Sequence, residues 1–368
     1  MEPKITLDSY VISNDSPCFV IAELGHNHQG KLETAKDMIS TAAECGAQAV
    51  KLQKRSNKEL FTKALYNKPY ENENSYGATY GLHREALEFG EKEYKELKAH
   101  ADNLGLVFFA TPFDFRSVDF LEKIDVKCHK VASALITDIP LIEHIASKGK
   151  PIFLSTGGAT LEDIDRAYNV IKDNDVPLCL MQCTAAYPQT NYKETHLNVL
   201  KTFKERYPDA VLGLSNHVSG ISLPVAAYVL GARAVEMHFT LNRAMRGTDH
   251  SYSLEPAGLR KLCRDLNRTH EAMGSYEKKP QPSELSPITK MGKSIVAKKP
   301  IPAGTIIEPE YVAFKSPGGG LPPYQVYEVL GRKAERDIAD DVPIELSALS
   351  KNFERKFNGL HWGEIYDK

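Results

Sequence analysis

The sequence predicts an α/β protein: a (β/α)8 TIM barrel followed by a small β-rich domain. Three observations carry this. Eight short apolar runs recur through the first 245 residues, each is followed by helical periodicity, and a proline-rich stretch then opens a different, short-strand rhythm. The runs are CFVIAEL (18–24), AVKLQ (49–53), VFFATP (107–112), CHKVAS (128–133), PIFLST (151–156), LCLMQCT (178–184), AVLGLSNH (210–217) and AVEMHFT (234–240). Amphipathic segments such as LETAKDMISTAAECG and LEDIDRAYNVIKDN lie between them, and Gly46, Gly105, Gly149 and Gly231 stand where helices should stop. The count of eight selects a closed barrel over an open sheet.

One interval is long. Residues 54–82 are polar, aromatic and rich in turn formers, and they follow the second strand, so they read as a loop covering the barrel's C-terminal face. After the last barrel helix, EKKPQPSELSP reads as a linker. The expected organisation is a barrel over 1–275, a linker over 276–287, a small domain over 288–350 and a tail over 351–368.

Composition narrows the function classes. Among 368 residues, 42% are hydrophobic and 26% charged, with a formal net charge of −2, so no electrostatic case exists for nucleic acid. No apolar run approaches the length of a membrane span, and the N-terminal stretch lacks the features of a signal peptide. Six scattered cysteines without a CxxC read as buried free thiols, so a cytoplasmic setting is expected.

Barrels of this kind place their chemistry where strands end. Those ends carry Glu23, Lys51 with Gln53, Thr111, Lys130 with Ser133, Ser155 with Thr156, Thr184, Ser215 with His217, and His238. Lysines inside apolar runs need an anionic partner to stay charged. For Lys51 and Lys130 that is a substrate phosphate or carboxylate, or an internal ion pair to Glu23. His217 and His238 end adjacent strands and can share one divalent ion. Two imidazoles completed by oxygen donors suit manganese or magnesium better than a closed zinc site. GHNHQG (25–30) raises a rival, a metal hydrolase using His26 and His28, but the aspartate that chemistry wants at strand eight is absent from AVEMHFTLN. The two histidines read instead as residues ordering the turn after Glu23.

With these residues in place, the chain resembles the sialic acid synthase family through IAELGHNHQG, AVKLQ, FFATPFD, KVAS, FLSTGG, CTAAYP, GLSNHVSG, AVEMHFTL and GTDHSYSLEP. The resemblance implies an antifreeze-like (SAF) domain after the barrel and a domain-swapped homodimer. It implies condensation of phosphoenolpyruvate with an aldose, N-acetylmannosamine or a related hexose, to a nine-carbon 3-deoxy-2-keto sugar acid. Glu23, Lys51 and Lys130 would then be catalytic. Lys51, Thr111, Lys130, Ser133, Ser155 and Ser215 would hold the phosphate and carboxylate, and Gln53, Tyr187 and Asp249 would line the sugar side. Thr184 is expected beside them, with His217 and His238 on the metal. Two other functions are weighed: a related synthase making a different ulosonic acid, and a non-catalytic sugar- or anion-binding homologue.

Some positions depart from the family pattern. Leu135 stands where relatives carry an acidic residue, and Gln182, Ala185 and Asn216 replace commoner residues. In KSPGGG (315–320), Ser316 takes the place of an arginine that in the family reaches over the partner's sugar site. No GK[ST] and no long helix follow, so these glycines do not form a phosphate loop.

Overall fold

The computed structural model describes residues 2–351 and 360–363, so most of the tail set at 351–368 lies outside the described residues. The chain divides between Gly274 and Ser275 into two compact units.

The first unit opens with an antiparallel hairpin, β1 (Lys4–Leu7) and β2 (Tyr10–Ser13), which the sequence analysis did not foresee. Its four-residue strands are too short for alternation to stand out. Ile5, Leu7 and Ile12 are buried, and Tyr10 packs edge-on against Phe19 at the start of the first barrel strand. The hairpin therefore covers the barrel end opposite the strand C-termini.

All eight predicted strands form, as one closed parallel barrel. They are β3 (Phe19–Gly25), β4 (Ala49–Lys54), β5 (Val107–Pro112), β6 (His129–Val131), β7 (Ile152–Ser155), β8 (Leu178–Cys183), β9 (Val211–Asn216) and β10 (Ala234–His238), with β10 closing onto β3. Nearly every strand position is buried, as expected for strands covered on both faces. Phe19, Phe109 and Phe153 fill the interior, with ring centroids 6.3 Å and 5.5 Å from Phe153. Toward the strand C-termini the inward positions become polar.

Local chemistry explains the helix starts. Asp114 accepts from the Ser117 amide, Asp138 from Leu141 with proline in the first turn, and Thr160 and Asp163 cap one another. Helices end at Gly46 and Gly105 in the left-handed region (φ +91° and +73°), where the sequence places stops. The long interval after β4 is built rather than open. It contains short helices at Asn57–Leu60, Lys63–Tyr66 and Tyr80–Glu85. The Tyr76 hydroxyl donates to the Arg246 carbonyl, and Gly247 donates to Asn74 Oδ1, so the interval is pinned to the loop after β10.

The second unit pairs β11 (Ser294–Ala297) with β12 (Val312–Lys315) antiparallel around its own core of Ile295, Ile307, Val312, Val329, Leu330 and Ile344. A helix at Leu285–Met291 precedes β11. Among the described residues, no helix is long and apolar enough to cross a membrane. All six cysteines are free and buried.

Candidate active site

Parallel strands in register aim every second residue at the barrel axis, so neighbouring strands set their polar side chains around one mouth. Glu23 is in register with Lys51 on one side and His238 on the other, and Gln53 with Thr111. A cavity of about 360 Å³ opens there. Of the residues the sequence singles out, Glu23, Lys51, Gln53, Thr111, Lys130, Ser133, Ser155, Tyr187, Ser215, His217, His238 and Asp249 line it.

The floor is a buried charge network. Lys51 Nζ lies 2.6 Å from Glu23 Oε2 and 3.6 Å from Glu236 Oε1, and it donates to Thr111 Oγ1 at 3.0 Å. The internal ion pair weighed for Lys51 is therefore present. Gln53 Nε2 donates to the other Glu23 oxygen at 2.7 Å. Burial lifts the Glu23 carboxyl from its ordinary range to about 7, against the lowering effect of Lys51. Burial acts on Glu236 in the same sense, yet Lys51, Lys130, His238 and His217 outweigh it and hold that carboxyl below its ordinary value. One acid thus tends to keep a proton while its neighbour stays ionised.

Lys130 differs from Lys51. Its ammonium donates to Ser155 Oγ at 2.6 Å and to the Val131 carbonyl at 2.8 Å, both neutral acceptors, and burial lowers its pKa. Ser133 sits beside it, accepting from the Gly157 amide at 2.9 Å. A Cβ on Gly157 would lie 2.8 Å from that hydroxyl and 2.7 Å from Ala185 Cβ, so only glycine permits this close approach. A buried lysine with hydroxyls and no carboxylate of its own is prepared for an anion.

On the opposite wall, the His217 and His238 rings are 5.4 Å apart. His217 Nδ1 donates to the Thr184 carbonyl at 3.0 Å, which leaves Nε2 with its lone pair. His238 Nδ1 is buried without a hydrogen-bond partner, 3.9 Å from Asp249 Oδ2, and burial holds this imidazole neutral. These are features of imidazoles able to bind a cation. No group of three or more His, Cys, Asp or Glu able to hold a metal occurs among the described residues, so water or substrate oxygens must complete any shell.

One expectation needs correction, and the other positions singled out in the sequence can now be placed. Thr184 does not line the cavity: its hydroxyl donates to the Glu194 carbonyl at 2.9 Å, and it serves the site through its own carbonyl on His217. Leu135 is buried in the core, and the turn presents Ala134 to the cavity instead. Gln182 and Asn216 bond the Thr195 and Val218 carbonyls and do not line it either. Ser316 lies in the second unit, where its hydroxyl donates to the Met291 carbonyl at 3.3 Å. His26 cannot hold a metal, because its two ring nitrogens face the guanidiniums of Arg55 and Arg84. His28 stacks on Phe89 and accepts from the Gly30 amide, ordering the turn as expected.

Glu236, Arg55, Arg84 and Tyr252, none of them singled out from the sequence, also line the cavity. Glu236 could have been found, since it precedes His238 by two and shares its strand face. Arg55 and Arg84 carry no such signal, lying beyond a strand end and in the long interval.

Fold and site together define an enzyme of the (β/α)8 class, with a mouth built on buried lysines, paired carboxylates and two facing imidazoles. Comparison with known proteins makes this particular. Residues 38–278 match the NeuB family and residues 292–350 match the SAF domain. The chain belongs to the NeuB family. It is 38% identical over 331 residues to mouse N-acetylneuraminate-9-phosphate synthase, covering 90% of this chain and 92% of that protein. It is 37% identical to the N,N'-diacetyllegionaminic acid synthase of Campylobacter jejuni, covering 88% and 97%. Among solved structures, the N-acetylneuraminic acid synthetase of Leptospira borgpetersenii, in complex with citrate, superposes with a TM-score of 0.69 at 33% identity, over 78% of this chain and 96% of that one. The expected barrel, SAF domain and synthase class stand.

Proposed function

We propose that this protein condenses phosphoenolpyruvate with a hexose to a nine-carbon 3-deoxy-2-keto sugar acid of the sialic acid type, releasing phosphate. The observation that carries this is Lys130, buried at the mouth with hydroxyls but no carboxylate, beside the Lys51–Glu23–Glu236 network and facing His217 and His238. Family membership supports it and leaves the acceptor open: one relative's name carries a 9-phosphate and another's does not.

Lys130, Ser155, Ser133, Ser215 and Thr111 hold the phosphate and carboxylate of phosphoenolpyruvate. The hexose presents its open-chain aldehyde between Glu23 and the two histidines, with Gln53, Tyr187 and Asp249 along its hydroxyls. C3 of phosphoenolpyruvate bonds to the aldehyde carbon, and the aldehyde oxygen takes a proton from Glu23. Positive charge at C2 is opposed by the ionised Glu236. Water adds at C2 and loses a proton to Glu23, and phosphate leaves with cleavage of the C2–O bond. His217 and His238 would hold manganese or magnesium, which when bound would supply Lewis acidity toward the aldehyde. A domain-swapped homodimer, with the loop bearing Ser316 over the partner's acceptor site, and a cytoplasmic setting complete the proposal.

The test is phosphate release from phosphoenolpyruvate with manganese and a panel of hexoses and shorter sugar phosphates. Release with a hexose, together with a nine-carbon acid by mass, supports the proposal. Release only with shorter sugar phosphates identifies a different ulosonic acid synthase. No release with any aldose identifies a binding protein.

A further inference from the structure

Arg55 takes no part in the chemistry above, yet it lines the same cavity. It follows β4 and is buried, with its guanidinium carbon 3.7 Å from the centre of the Phe113 ring. The two arms of the guanidinium reach different partners. Nη1 lies 3.2 Å from His26 Nε2, and the other nitrogen of that ring lies 3.0 Å from Arg84 Nη1. Nη2 donates to Gln53 Oε1 at 2.6 Å. Burial lowers the Arg55 pKa to about 10, which leaves the group charged at neutral pH.

The contact with Gln53 fixes which way that amide points. A side-chain amide has one accepting end and one donating end, whereas a guanidinium only donates. Gln53 must therefore turn its oxygen toward Arg55, and its nitrogen faces inward. That nitrogen donates to Glu23 Oε1 at 2.7 Å, while Lys51 Nζ lies 2.6 Å from Glu23 Oε2. Gly25 shows what else converges there. A Cβ on it would lie 3.2 Å from Asp249 Oδ2, 3.4 Å from Glu23 Oε1 and 3.5 Å from Gln53 Nε2. The amide nitrogen and the Asp249 carboxylate thus border one small space over a bare backbone. A sugar hydroxyl beside them can accept from Gln53 and donate to Asp249.

Reversing the amide would set its oxygen against the Glu23 and Asp249 carboxylates, acceptor against acceptor. Glu23 alone does not prevent this. In the proposed condensation it gives and takes a proton, and a protonated carboxyl donates to an amide oxygen as readily as a carboxylate accepts from the nitrogen. Arg55 keeps its protons throughout.

We propose that Arg55 is a positioning residue: it locks the Gln53 amide with its oxygen outward, so that N–H groups face Glu23 and the acceptor sugar at every step. This rests on the condensation proposed above and adds to it a residue that acts through Gln53, with no bond made or broken at the guanidinium.

The experiment is a double-mutant cycle of Arg55→Met and Gln53→Ala. It is read as phosphate release from phosphoenolpyruvate with manganese and the hexose of the panel above that reacts fastest. Arg55→Met should lower kcat/KM for the hexose about tenfold and leave the KM for phosphoenolpyruvate unchanged. In the Gln53→Ala background the same substitution should cost no more than about twofold. A loss of equal size in both backgrounds, as a merely structural Arg55 would give, overturns the inference and leaves the condensation standing. No loss at all, or a rise in the KM for phosphoenolpyruvate, overturns it likewise. Should Arg55→Met not fold, Arg55→Lys carries the cycle, because lysine keeps the charge but lacks the fork that spans His26 and Gln53. A loss of about threefold or more that vanishes with Gln53→Ala then supports the inference, and any other pattern overturns it. If no aldose releases phosphate, the condensation fails, and the cycle read as urea midpoints decides the contact: coupling between the two positions supports the lock, and additivity removes it.

Discussion

Two walls of one cavity differ in how they are made. The inner wall is carried by strands: Lys51, Thr111, Lys130 and Ser155 sit within or at the end of β4 to β7, held by short hydrogen bonds to one another. The outer wall comes from segments past the strand ends: Arg55 after β4, Arg84 in the long interval, Tyr187 after β8 and Asp249 after β10. A rigid sheet fixes the geometry of a small anion common to every turnover, while connecting segments can change the acceptor without disturbing the barrel. The inner wall should therefore govern phosphoenolpyruvate and chemistry, and the outer wall the choice of sugar.

The largest effect is expected at Glu23. Glu23→Gln keeps the contact with Gln53 and removes the proton carrier, so kcat should fall about 10²–10⁴-fold. A smaller loss moves proton transfer elsewhere and weakens the division of labour with Glu236. Next, Lys130→Met should lower kcat/KM for phosphoenolpyruvate about 10- to 100-fold, with the KM of the acceptor less affected. The reverse split would break the distinction between the walls. Asp249→Asn should act oppositely, raising acceptor KM about tenfold while phosphoenolpyruvate KM holds.

A pH effect sharpens the inner wall alone. The Glu23 carboxyl is raised in the folded protein to about 7, above an unfolded value of about 4.3. The folded state therefore holds the extra proton, and the stability this group contributes is present below about pH 4.3 and lost as pH rises through about 7. Urea midpoints without substrates should show Glu23→Gln gaining on the wild type between about pH 4.3 and about pH 7. A constant gap would mean that Glu23 is ionised throughout. The smallest effect is expected at Thr184→Val, because that hydroxyl serves the Glu194 carbonyl while the carbonyl toward His217 stays. Activity should change by no more than about threefold.

Legibility followed the same division. The barrel was readable because eight buried strands leave eight apolar runs, and a polar residue ending such a run stands out from its neighbours. Lys51, Lys130 and His238 were visible for that reason. Glu236 was overlooked although the period of two that placed His238 also places it inward. Arg55 and Arg84 sit in polar segments where an arginine is unremarked, and only the fold brings both to His26. Leu135 stands where relatives carry an acidic residue, yet the turn at Ser133–Leu135 sends its side chain to the core. A residue one or two places past a strand end has no fixed facing, so sequence spacing cannot assign it.

The most direct measurement follows the bridging oxygen of phosphoenolpyruvate. With oxygen-18 in that position, manganese and a hexose acceptor, the label should appear in the released phosphate, alongside a nine-carbon keto acid by mass. Label retained in the organic product, or phosphate released at the same rate without any sugar, would contradict condensation by C–O cleavage at this barrel mouth.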